Sequence, residues 1–190
     1  MKQSSKTTEV KLTPEDQILA TSNWDEFFGK VSEIEKKKVK GDVFERFTKL
    51  YLLAAPKYRM LLKNVWLREE IPLDIRKRVE LPFDDFGIDG LAETHEGNFW
   101  SIQSKFRSDT DSAITYKELS TFKSLSDNSM NIDFCLVVHT STKPIKNLHL
   151  FGENISTLGI NEFECIDQKL WASIQSAAKG EQKELQPLTP

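Results

Sequence analysis

Gly87-Ile88-Asp89-Gly90-Leu91-Ala92-Glu93-Thr94-His95-Glu96-Gly97-Asn98-Phe99-Trp100-Ser101-Ile102-Gln103-Ser104-Lys105-Phe106-Arg107 is the stretch on which the fold turns. Two strands are legible in it, at 88–94 and 99–106. His95-Glu96-Gly97-Asn98 joins them, with Gly97 free to take positive φ. The second strand alternates. Trp100, Ile102, Ser104 and Phe106 share one face, three of the four being apolar, and Ser101, Gln103 and Lys105 share the other. The pattern predicts a hairpin whose apolar face is buried and whose other face carries an amide and an ammonium opposite Asp89. The Asp89 carboxylate and the Gln103 side-chain oxygen are hard oxygen donors suited to Mg²⁺, which keeps several waters and needs few protein groups. Lys105, one pleat beyond Gln103, is placed to orient or deprotonate a water, or to stabilise negative charge developing on a phosphate.

Asp89, thirteen intervening residues and then Gln103-Ser104-Lys105 resembles the PD-(D/E)xK nuclease motif in its Mrr-type form, D…QxK, where Gln replaces the second acid. The text around it is similar to the N-terminal nuclease domains of Type ISP restriction-modification enzymes and their helicase-linked relatives. The resemblance covers roughly residues 40–145. It implies a restriction-endonuclease-like α/β sandwich and a Mg²⁺-dependent DNA endonuclease, with Mn²⁺ as a substitute. It also implies a helical Glu upstream, matched by Glu45 in Gly41-Asp42-Val43-Phe44-Glu45. Glu45, Asp89 and Gln103, with the Ser104 carbonyl, would then hold the ion, and Lys105 would place the nucleophile. The implied partners are double-stranded DNA and, in the same polypeptide, translocase, methyltransferase and target-recognition domains. One departure is visible. The proline of the motif is not beside Asp89; Pro82 lies further back, before Phe83-Asp84-Asp85, so Asp84 and Asp85 are either extra metal ligands or turn residues.

The remaining composition bounds the reading. With 190 residues, 38% hydrophobic and 29% charged, the chain supports one sizeable domain plus a tail. No run is long enough to span a membrane, and Met1-Lys2-Gln3-Ser4-Ser5 has no secretory character. Cys135 and Cys165 suggest neither a disulfide framework nor a zinc site, so a reducing cytoplasm is expected. The net charge of −3 argues weakly against passive coating of nucleic acid. Residues 57–78, however, are locally basic through Lys57, Arg59, Lys63, Arg68, Arg76, Lys77 and Arg78, which reads either as a solvated surface or as a grip on a phosphate backbone. Arg76, Lys77 and Arg78, with Arg107, are the candidate DNA contacts.

In chain order, Thr13-Pro14 opens a helix and Ser22 or Asn23 opens another. Trp24, Phe27, Phe28, Val31 and Ile34 form an aromatic stripe, either packed on the core or docked to another domain. The run 35–40 is charged, mostly by lysine, and could meet phosphate or simply be solvated. Asp42 is expected to cap the next helix, whose apolar face is Val43, Phe47, Leu50, Tyr51 and Ala54. Asp42 and Glu45 therefore also read as a capping-box pair. Residues 60–66 suggest a short helix or strand. A helix is expected at 115–125. The apolar run 132–138 reads as the centre of the sheet, and His139 at its end reads as structural or exposed. Leu148, Phe151, Ile155 and Leu158 suggest a helix, 161–166 a strand, and Asp167 the cap of a last helix. Residues 1–178 are expected to form the nuclease domain, with a helical part at 1–38. Residues 179–190 read as a linker towards a following helicase-type domain. With no GxxxxGK[ST] loop, no ATP hydrolysis is expected of this chain. The expected function is a DNA endonuclease, cutting non-specifically and perhaps nicking. The alternative is a catalytically inert nuclease-like module that binds DNA or docks to other domains.

Overall fold

The computed structural model describes residues 12–83 and 87–180. Readings that fall on Asp84 and Asp85, on the N-terminal eleven residues and on the linker beyond Gly180 lie outside the described residues. The elements are α1 (Pro14–Leu19), α2 (Trp24–Glu33), α3 (Lys37–Ala54), α4 (Pro56–Arg59), β1 (Leu62–Leu67), α5 (Leu73–Arg78), β2 (Gly90–Thr94), β3 (Phe99–Lys105), α6 (Tyr116–Asn128), β4 (Ile132–His139), β5 (Ile155–Leu158), α7 (Ile160–Glu164) and α8 (Gln168–Ala178). Two 3-10 turns, Arg68–Glu70 and Leu148–Phe151, follow β1 and precede β5.

The sheet runs in sequence order, β1-β2-β3-β4-β5. β1, β2 and β3 are antiparallel neighbours, while β3, β4 and β5 are parallel. A parallel step needs a crossover, and α6 supplies it between β3 and β4. This mixed sheet between helical layers is the α/β sandwich expected from the sequence. The middle strand is β3, not β4. β4 is so apolar because helices cover it on both faces and β5 shields its outer edge.

Local chemistry explains most boundaries. Thr13 Oγ1 accepts from the Asp16 N–H at 3.2 Å while Asp16 Oδ2 accepts from the Thr13 N–H at 2.8 Å, a reciprocal cap with Pro14 as the first helical residue. Asn23 caps α2. Asp167 caps α8, accepting from the Leu170 N–H at 2.7 Å. The expected cap at Asp42 is not one: α3 begins at Lys37, so Asp42 and Glu45 are interior helical positions and no capping box exists there. Lysine is a good helix former, and Lys38 lies 3.8 Å from Asp42 one turn on, so the charged run continues into the helix. Residues 148–158 are not one helix either. Gly152, at φ +95°, ends the 3-10 turn, and Ile155–Leu158 then pairs with β4. His149 lies in that 3-10 turn. The strand expected at 161–166 is helix α7, started where Glu162 reaches back to accept from the Gly159 N–H at 3.0 Å.

Two cores flank the sheet. On the α3 side, Phe27, Phe44, Phe47, Phe163 and Trp171 pack with Ile102, Leu136 and Val138. The Phe27 and Phe47 rings stack with centroids 4.8 Å apart, so the aromatic stripe of α2 is core rather than a docking face. Trp171 Nε1 and Gln175 Nε2 of α8 both donate to the Thr21 carbonyl, at 2.9 and 2.7 Å, tying the last helix to the α1–α2 corner. On the α6 side, Leu91, Phe99, Leu119, Phe122, Cys135 and Val137 pack together. The polar face of β3 is therefore buried, contrary to the amphipathic reading. Ser101 is 0% and Gln103 4% exposed, and Ser101 Oγ shares a 2.7 Å hydrogen bond with Ser126 Oγ of α6.

Candidate metal-binding nuclease site

The site lies where the open end of the β2–β3 hairpin meets α3. Asp89 immediately precedes β2, and its backbone is fixed on both sides. Its N–H donates to the Ile102 carbonyl and its carbonyl accepts from the Arg68 N–H, both at 2.9 Å. Gly90 permits this close approach, because a Cβ there would stand 2.8 Å from the Trp66 carbonyl oxygen. The Asp89 carboxylate reaches across to β3. Its Oδ2 accepts from the Ser104 N–H at 2.7 Å and from Gln103 Nε2. The Gln103 oxygen lies on the side of Gly87, where a Cβ would be 3.7 Å from it. Turning the amide over would present that oxygen beside Asp89.

Ser104 is a second link. Its hydroxyl donates to Thr48 Oγ1 of α3 at 3.3 Å, which draws the helix against the strand. Glu45 sits one turn before Thr48. Glu45, Thr48, Lys49, Asp89, Gly90 and Ser104 are among the residues lining a cavity of about 10 Å³. That is room for about one water molecule, and hence for one small ion. Burial pushes the Glu45 carboxyl up to about 8, reinforced by the neighbouring Asp89, Asp42 and Glu69 and only partly offset by Lys38. Among the described residues the Glu45 carboxylate has no hydrogen-bond or ion-pair partner. A half-buried, unpartnered carboxylate beside a second carboxylate is a donor set that fits a hard divalent cation. No described group of three or more His, Cys, Asp or Glu side chains is arranged to hold a metal, so this pair depends on amide, carbonyl and water oxygens to complete a shell.

Lys105 closes β3. It is half-buried, and its ammonium makes no ion pair or hydrogen bond among the described residues. His139, its register partner on β4, is 6% exposed, and burial lowers its pKa. Sequence reading missed this neighbour, since parallel register leaves no local signal. Beyond Lys105 the chain is strapped down. The Arg107 N–H donates to Thr140 Oγ1 at 2.6 Å, and that hydroxyl donates to the Arg107 carbonyl at 2.9 Å. The Arg107 guanidinium pairs with Glu118 of α6.

The proposed phosphate contacts divide. Arg76 is 7% exposed and donates to the Pro82 and Arg68 carbonyls at 2.8 and 2.5 Å. Its guanidinium is thus held within the fold, which leaves it little surface to offer a phosphate. Arg78 is exposed but lies over the Phe99 ring at 5.2 Å, at the opposite end of β3 from Lys105. Seven strand residues at about 3.3 Å each separate those ends by roughly 20 Å. Lys63, 4.0 Å from Glu93, also belongs to that far end, where Leu62 pairs with Thr94. Besides Lys49 and Lys105, the lysines that open α3 also lie towards the QxK end of β3. Lys40 Nζ donates to Ser108 Oγ at 2.8 Å, just past the QxK strand, and Lys38 is exposed two residues earlier.

Comparison with known proteins identifies the family. Residues 53–179, more than half of the chain, match the Mrr_cat_2 restriction endonuclease family; the match includes Asp89, Gln103 and Lys105 and begins after Glu45. No curated protein matches at a significant level. Among solved structures, the DNA-bound ATP-dependent Type ISP restriction-modification enzyme LlaBIII is similar over 82% of this chain, with 22% identity and a TM-score of 0.54; this chain spans 8% of that one. The DNA modification-dependent restriction endonuclease AspBHI is similar over 95% of this chain and 43% of its own, with 16% identity and a TM-score of 0.47. No described helix is long and apolar enough to cross a membrane. By its family match over more than half its length, the chain belongs to the Mrr_cat_2 restriction endonuclease family.

Proposed function

We propose that the chain is the nuclease unit of a larger restriction enzyme and hydrolyses DNA phosphodiesters with Mg²⁺, or Mn²⁺ in its place. The observation that carries this reading is that Asp89, Ser104 and Glu45 line one ion-sized cavity, with Gln103 bonded to the Asp89 carboxylate and with Lys105, unpaired among the described residues, at the end of the same strand. Glu45, Asp89, the Gln103 oxygen and the Ser104 carbonyl would hold the ion. When bound, it would supply Lewis-acid polarisation of a phosphate oxygen and lower the pKa of an attacking water. The Ser104 N–H and the doubly anchored Asp89 backbone hold the principal carboxylate in one orientation before substrate arrives. The Lys105 ammonium orients the water and offsets negative charge developing on the phosphate. The water oxygen bonds to phosphorus as its proton passes to solvent, the bond to the leaving sugar oxygen breaks, and that oxygen takes up a proton from solvent to leave as a hydroxyl.

Lys38 and its neighbours at the start of α3, with Arg107, are the proposed backbone contacts, and nothing in this set reads bases. Cutting by this unit is accordingly proposed to be sequence-independent and to include nicks. The proposed partners are double-stranded DNA and, in the same polypeptide, translocase, methyltransferase and target-recognition units of a cytoplasmic enzyme.

A second reading, an inert DNA-binding or docking module, has one observation in its favour: two donors already occupy Asp89 Oδ2. Supercoiled plasmid incubated with the chain and Mg²⁺ or Mn²⁺, beside Asp89→Ala and Lys105→Ala, separates the two. Nicked and linear products from the parent alone are expected. DNA retention with neither cutting nor metal binding would establish the inert module.

A further inference from the structure

Lys49 follows Glu45 by four residues on α3, the spacing and order at which a Glu–Lys pair forms most readily on a helix. Both side chains line the cavity, yet that pair is not made. The Lys49 ammonium sits instead on Glu70 Oε2. Glu70 is brought there by the 3-10 turn after β1, where its Oε2 also accepts from the Leu67 N–H at 3.0 Å. Its other oxygen takes Arg46 Nη1 at 2.6 Å, and Arg46 is in turn 2.9 Å from Glu15. Glu70 thus collects two cations and an amide from the helix and strand that frame the cavity, though it does not line the cavity itself.

We infer that Glu70 is a positioning residue that holds Lys49 away from Glu45, keeping that carboxylate open to a divalent cation; this rests on the metal-site reading above. The chemistry is competition for the same acceptors. A lysine ammonium is a compact charge with three donors on a flexible stem. Released from Glu70, it is left at a cavity that the Glu45 carboxylate also lines. An ammonium seated on Glu45 would have to be displaced before an ion could enter, and apparent affinity falls by the fraction of protein so occupied.

The test is Mn²⁺ binding by the whole chain, followed by the loss of the free-ion electron paramagnetic resonance signal at fixed pH and without DNA. Glu70→Gln preserves the shape and the capping oxygen but removes the charge. It is expected to raise the Mn²⁺ concentration at half-binding roughly tenfold. Glu70→Gln with Lys49→Met is expected to return it to within about twofold of the parent, because no ammonium remains to compete. Lys49→Met alone should leave binding at the parental value. Melting curves identify any variant that fails to fold, and the double variant, which lacks still more of the ion-pair network, guards against reading lost structure as lost affinity. Unchanged binding by Glu70→Gln, or no recovery in the double variant, overturns the positioning role while leaving the metal site intact. No Mn²⁺ binding by the parent overturns the metal-site reading and this inference with it.

Discussion

The two ends of the β2–β3 hairpin are built to opposite specifications. At the turn end, Phe99 is fully buried, Arg78 covers its ring, and Asn64 Nδ2 donates to Glu93 at 2.8 Å, with Lys63 close by. Charges there are balanced against one another or laid over apolar surface. At the open end, Asp89 and Glu45 line one small cavity and Lys105 closes the strand beside it in sequence, and Glu45 and Lys105 keep no partner among the described residues. Burying polar groups without full pairing costs stability, so the open end is sustained by packing elsewhere, chiefly the aromatic layer behind α3. The end whose charges are balanced is thus mainly structural, and the end whose charges are left unbalanced is the one proposed for chemistry.

The sharpest break of the comparison separates stability from activity. Phe47→Ala removes a fully buried ring that lies against Trp24, Phe27 and Phe163. It should cost about 3–5 kcal/mol in a denaturant titration. Lys105→Ala should do the reverse. The midpoint of unfolding stays within about 0.5 kcal/mol, while plasmid cutting falls by roughly 10²–10⁴-fold. A Lys105→Ala protein that cuts like the parent would remove Lys105 from the chemistry and move the active end elsewhere.

How much of this was legible follows from what each signal depends on. The hairpin, the D…QxK spacing and the Thr13, Asn23 and Asp167 caps are local, and local patterns survive in the sequence. The role of Glu45 was open because Asp42 and Glu45 satisfy two local patterns at once, and only the true start of α3 at Lys37 removes one of them. The face of β3 bearing Ser101 and Gln103 was misread because alternation reports polarity, not exposure; Ser126 of α6 supplies a partner no periodicity reveals. The burial of Arg76 was hidden for the same reason. A basic residue in a basic stretch looks like a phosphate contact until two carbonyls from distant turns are found on its guanidinium.

Glu45 gives a pH-dependent test of the open end. Its folded pKa is raised to about 8 from the ordinary 4.5, chiefly by burial. The unfolded chain releases the proton first, so stability is full below about 4.5, falls as pH rises, and levels off above the folded value near 8. Without divalent metal, the loss between pH 5 and pH 8 should be on the order of 2 kcal/mol. Glu45→Gln should flatten that slope and make the protein more stable than the parent at pH 8. Saturating Mg²⁺ should flatten it in the parent alone. A slope identical in both proteins would place the titration elsewhere.

The smallest effect concerns which basic end meets DNA. Arg78→Ala and Lys77→Ala remove exposed charge at the turn end, roughly 20 Å along β3 from Lys105. Each should change retention of a short duplex by less than about twofold, since a distant exposed charge is largely screened at physiological salt. Lys38→Ala, at the open end, should weaken retention several-fold and reduce the dependence of log affinity on log salt by about one phosphate contact. Measuring all three at two salt concentrations turns the difference between the ends into a difference of slopes. Greater loss on Arg78→Ala than on Lys38→Ala would mean that the duplex lies along the hairpin towards its turn, with the cavity reached only from one side. An equal, salt-dependent loss in all three would instead mean that the duplex spans the full length of β3.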